Sequence, residues 1–124
     1  MKRSFVLAAG AALVLLVSCA RSAESSVEHF YMCLSDGKVT EAKEYVSKQL
    51  IGMAGDGKIS AALAKEAQNI QARGGIKSVD VKLDGKGEVR TGTATITFKN
   101  APAPKVEKVK VIQEDGKWKI TAEK

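Results

Sequence analysis

Four groups of residues in this sequence have the types or the spacing that chemistry needs. "GMAGDGKI", Gly52 to Ile59, has the G-x-x-x-x-G-K spacing of a phosphate-binding loop. Such a loop needs Ser or Thr after the lysine to meet magnesium, and a strand before its first glycine. Ile59 occupies the hydroxyl position and a helical pattern precedes Gly52, so a flexible turn between helices is expected instead. His29 is the only histidine. A general base belongs inside a pocket that tunes its pKa, yet at 100° per residue His29 falls roughly 200° round from Val27, opposite the apolar face. We assign it to solvent. The two cysteines, Cys19 and Cys33, cannot build a zinc site with a single histidine from nitrogen and sulfur ligands alone. Tyr31, Tyr45 and Trp118 could line a small pocket, with polar tips as hydrogen-bond handles for a small hydrophobic ligand. Packing in a small core is the plainer reading of all three. No catalytic, cofactor-binding or metal-binding residue is expected.

Cys19 raises a different chemistry. Lys2 and Arg3 form a basic head, and "SFVLAAGAALVLLVS" follows without a charge, the layout of a secretory signal peptide. The run is shorter than the ~20 apolar residues of a spanning helix. Its end, "LVSC", resembles a bacterial lipobox, in which the thiol receives a diacylglyceryl group before cleavage. The resemblance implies a signal peptide at 1–18, an acylated Cys19 as first residue of the mature chain, and a short tether to residue 24. Ala20 in the next position is similar to lipoproteins sent on to an outer membrane, facing the periplasm. Cleavage after Ala20, reading "SCA" as small-x-small, would instead release a soluble periplasmic protein. Each buried methylene adds ~0.8 kcal/mol of membrane affinity, so acylation would decide where the protein resides.

Loss of residues 1–18 leaves 106 residues, enough for one small domain with one core. The formal charge falls from +6 to +4, because Lys2 and Arg3 leave and no acid does. With six aromatic side chains in all, the stacking platforms of a single-strand nucleic-acid binder are missing, and an exported chain meets little nucleic acid. Once Cys19 is acylated, Cys33 has no partner for an intramolecular disulfide and reads as small helix packing.

The elements follow from period and punctuation. "SSVEHFYMCLSDG" predicts a helix, with the S-x-x-E spacing of Ser25 and Glu28 as capping box. Val27, Phe30, Tyr31 and Leu34 make one apolar face, and Gly37 is the stop. "KVTEAKEYVSKQL" predicts a second helix with Val39, Ala42, Val46 and Leu50 inward, and "IGMAGDGK" breaks it. "ISAALAKEAQNIQARGG" predicts a third, capped by Ser60, with Leu63, Ala67 and Ile70 inward. After Gly75 the period changes to two. "IKSVDVKL" alternates Val79, Val81 and Leu83 with polar residues, and "DGKG" turns the chain. "EVRTGTATITF" puts Ala94, Ile96 and Phe98 on one face and threonines on the other; the opposite parity of Val89 suggests a bulge at Gly92. "NAPAP" is a loop. "KVEKVKVIQ" and "KWKITA" pair through Asp115-Gly116, a strong hairpin signal, with Trp118 and Ile120 inward. Lys77, Lys82, Lys105, Lys108, Lys110, Lys117 and Lys119 are expected on a solvated outer face, or against anionic headgroups. The expected class is α+β: about three N-terminal helices on a curved four-stranded antiparallel sheet, spanning residues 25–124.

This order of elements, with "GKVTEAKEYVS" as second helix and "EDGKWKI" as terminal hairpin, resembles the nuclear transport factor 2-like (cystatin-like cone) superfamily. More narrowly it is similar to small bacterial lipoproteins whose cone domain has no assigned activity. The resemblance implies a lipid-anchored, non-enzymatic binding or interaction domain. Its alternatives are a cone-fold enzyme of the isomerase or dehydratase type, and a structural or assembly factor partnering an envelope protein. Fold does not choose among them.

Overall fold

The first helix begins a turn earlier than the capping-box spacing suggests. Ser22 sets its start: its hydroxyl accepts from the Ser25 amide at 3.0 Å, an N-cap that satisfies a backbone donor otherwise unpaired. The structure, a computed structural model, describes residues 21–122. Cys19 and the signal sequence at 1–18 lie outside the described residues. Helix α1 runs Ala23–Ser35 and buries Val27, Phe30, Tyr31 and Leu34, the face expected from its period. Gly37, at φ 76°, ends it, and the amide of Lys38 turns back to the Cys33 carbonyl at 2.8 Å, a left-handed stop.

The second expected helix is two. Helix α2 covers Val39–Lys43 and α3 covers Lys48–Ala54. Between them Val46 pairs in parallel with Ile120 near the chain's end. The Ser47 amide donates to the Ile120 carbonyl at 2.8 Å, and the Ile120 amide donates to the Tyr45 carbonyl at 2.7 Å. Local propensity loses here to a long-range ladder. Ser47 is fully buried; its hydroxyl accepts from the Leu50 amide and donates to the Thr121 hydroxyl, both at 3.0 Å. Ser47→Ala removes the cap of α3 and leaves the partly buried Leu50 amide short of a partner, so a loss of about 1–2 kcal/mol is expected in urea unfolding.

Helix α4 spans Asp56–Ala72, so the glycine-rich break narrows to Gly55. Ser60 does not cap it; its hydroxyl accepts from Lys43 Nζ at 3.0 Å. Leu63, Ala67 and Ile70 are buried as the period requires. The helices therefore number four among the described residues, against about three expected.

The sheet is the expected antiparallel meander: β1 Ile76–Asp84, β2 Val89–Phe98, β3 Lys105–Glu114 and β4 Lys117–Thr121, in the order β1-β2-β3-β4. Ala94, Ile96 and Phe98 are buried beside Val109 and Val111. Asp115 and Gly116, both at positive φ, form a two-residue turn whose twist matches its strands. The bulge expected at Gly92 lies instead between Ile76 and Ser78. Gly92 stays in register with Leu83 and Val109, and its missing side chain leaves room for the Lys82 and Leu83 backbone of β1. That approach belongs to a sheet bent around a helix; α1 lies across the concave side against β1 and β4. The α+β class and the curved four-stranded sheet are as the sequence predicts. Among the described residues no helix is long and apolar enough to cross a membrane.

Candidate functional site

The edge of β4 is only partly covered. Tyr45 and Ser47 take the outward amide and carbonyl of Ile120. With a period of two, the backbone groups of Trp118 point to the same side, where the chain leaves a cleft of about 250 Å³. Tyr45 and Trp118 line it together with Ser26, Glu44 and three cations, Arg21, Lys117 and Lys119. Lys119 Nζ donates to the backbone carbonyl of Glu44. The guanidinium of Arg90, on β2, lies 4.7 Å from the centre of the Trp118 ring, a cation–π contact that fixes the indole. Arg90 Nε is buried without a hydrogen-bond partner. The arrangement suits an anionic or aromatic-friendly ligand; it holds no histidine or cysteine among its lining residues.

Two of the three expected pocket residues thus meet. Tyr31 does not join them. It is buried in the core, edge-on to Phe30 with ring centres 5.1 Å apart, next to a second polar group that the sequence reading missed. Lys105 bridges Glu107 at 2.8 Å and Glu66 at 3.8 Å. Lys105 was expected on the outer face. Its parity is that of Val109 and Val111, and it pairs with buried Ile96, so it points toward the helices where Glu66 of α4 meets it. The hydrogen bond with Glu107 holds the Lys105 ammonium above its ordinary pKa.

Burial pushes the Tyr31 phenol well above its ordinary value, and the charges of Glu107 and Glu66 push it further. A pKa raised by folding contributes stability that is whole below about pH 10, where the unfolded tyrosine ionises, and is lost as the pH climbs beyond it. In an alkaline absorbance titration Tyr31 is therefore expected to yield tyrosinate only as the fold is lost. Tyr31→Phe is expected to delete that late component.

His29 is exposed, as its helical position requires. It sits with Glu28, Met32, Ser78 and Val79 at a shallow, open depression, its ring parallel to that of Tyr45 with centres 6.4 Å apart. Asp80 and Asp84 are exposed as well. Burial raises the Cys33 thiol's pKa, with Glu41 adding to it, which makes it a poor nucleophile. Gly52 to Ala54 lie inside α3 and Gly55 alone breaks the chain, so no phosphate loop forms. Among the described residues no group of three His, Cys, Asp or Glu could hold a metal.

No family model matches the sequence, and no curated protein matches it. Solved structures do match the fold. One is a protein from Campylobacter jejuni, provisionally described as an NTF2-like transpeptidase, with a TM-score of 0.68 and 18% sequence identity. The match covers 83% of this chain and all of that one. The domain therefore has the NTF2-like cone fold.

Proposed function

We propose that this chain, an NTF2-like cone domain behind a lipobox-like leader, is a lipid-anchored protein of the cell envelope. It faces the periplasm from the outer membrane, and its domain binds rather than catalyses. The observation that carries the binding reading is how the cone is filled. Val27, Phe30 and Leu34 of α1 occupy the concave side with Ile96, Val109 and Val111. The open space lies outside, at the β4 edge, where Tyr45 and Trp118 meet three cations. Transpeptidation, the activity in the Campylobacter jejuni protein's description, would need an activated nucleophile, and neither the cleft lining nor Cys33 offers one.

A cone-fold isomerase or dehydratase is favoured by one observation, the placement of buried Tyr31 beside Glu66 and Glu107. Lys105 occupies both carboxylates, which supports a structural role for them. The anchor is tested by Cys19→Ala. The variant is expected to leave the membrane fraction for the soluble one, and unchanged fractionation contradicts the proposal.

A further inference from the structure

We propose that the cleft at the β4 edge docks onto the phosphate groups of an anionic lipid bilayer; this rests on the reading of Cys19 as the anchor. Charge is the first argument. Arg21, Lys117 and Lys119 face Glu44 as the one carboxylate lining the cleft. None of the three makes a salt bridge among the described residues, and Lys119 meets a carbonyl of Glu44 rather than its carboxylate. Net positive charge is left for a ligand. Farther along the sheet, on β1 to β3, Lys82, Lys108 and Lys110 share one face with Asp80 and Asp84, so the field there is mixed.

Chain path is the second argument. Ser22 caps α1 and Ala23 is already 1% exposed, so the tether expected to reach residue 24 shrinks to Ala20 and Arg21. The three Cα steps from Cys19 to Ser22 span at most about 11 Å. Acyl chains on Cys19 therefore hold this cleft, and not the far side of the domain, at the level of the headgroups. The third argument is Tyr45, a partly exposed amphipathic ring of the kind that settles at membrane–water interfaces, which lines the cleft beside the buried Trp118. Arg21, the first described residue after Cys19, meets Lys117, Lys119 and Tyr45 at this one cleft.

Trp118 is the only tryptophan, so its emission reports on the cleft. The chain from residue 19, with serine at that position, holds every buried residue of the core, from Ala23 to Trp118. It is mixed with vesicles of phosphatidylcholine alone, or of phosphatidylcholine and phosphatidylglycerol two to one. It is expected to sediment with the anionic vesicles only, with a shift in Trp118 emission, and to be released by high salt. Arg21→Ala with Lys117→Ala, both exposed positions, is expected to weaken partitioning about thirtyfold, roughly fivefold per charge. Lys58→Ala with Lys65→Ala removes equal charge from α4 and is expected to leave it nearly unchanged. Three results overturn the proposal: no partitioning; equal losses in the two double variants; or the same emission shift from inorganic phosphate without vesicles. No arm needs acylation, so a failure here is separate from a failure of the anchor, which would show as an unmodified Cys19.

Discussion

Gly92→Ala is expected to cost roughly 3 kcal/mol or more, enough to leave much of a small domain unfolded. A methyl group at this position would lie 1.9 Å from the Lys82 carbonyl oxygen and 2.8 Å from the Leu83 Cα. Both obstacles are backbone, so no rotamer change relieves them. Either β1 peels from β2 at this point or the sheet flattens, and a flatter sheet no longer wraps α1. Gly52→Ala supplies the contrast. It lies inside α3 with nothing within 4 Å of the added carbon, and alanine is the better helix former by up to about 1 kcal/mol. The same chemical change should therefore raise the urea midpoint at 52 and collapse it at 92. Equal effects at both positions would show that the close approach of the β1 backbone to Gly92 does not shape the sheet.

Leu34→Ala is expected to cost about 2–5 kcal/mol, the range for a leucine truncated in a packed core. Leu34 is 0% exposed and heads the fully buried side chains by volume. It sits on the last turn of α1, where its carbonyl also accepts from the Gly37 amide at 3.1 Å, so backbone and side chain fix the same corner. For a domain of this size the loss corresponds to a midpoint lower by roughly 10 °C or more in thermal unfolding. Cys33, one residue earlier and only half-buried, tolerates alanine far better on the same logic.

The parts of the fold legible in the sequence are those set by local period and turn chemistry. Ala94, Ile96 and Phe98 alternate with threonines because one face is buried, and that alternation survives in the structure. Asp115-Gly116 names its own hairpin. The α4 core positions Leu63, Ala67 and Ile70 were fixed by a helical repeat. What was not legible depends on contacts far apart in the chain. Val46 and Ser47 carry a helical pattern, yet Ile120 draws them into the ladder, 74 residues along from Val46. The Ser47-to-Leu50 cap was the available local sign.

The candidate site divides in the same way. Tyr45 and Trp118 were visible as aromatic residues with polar tips, but Tyr31 has the same description and lies away from the cleft. Arg21 reads as tether, and only the Ser22 cap, one turn ahead of the expected one, brings it to the cleft. Lys105 and Glu107 share the parity of Val109 and Val111, so strict counting would have turned them inward. Their charge argued otherwise, and the compensating Glu66 sits on another element.

The anchor reading accounts for the leader, the shortened tether and the side of the domain on which its uncompensated cations collect. Its most direct test is the intact mass of the native protein recovered from cell membranes. The expected result is a chain starting at Cys19, heavier than its sequence by a thioether-linked diacylglyceryl group. A free Cys19 thiol in that chain, or a mass that still includes residues 1–18, contradicts the account.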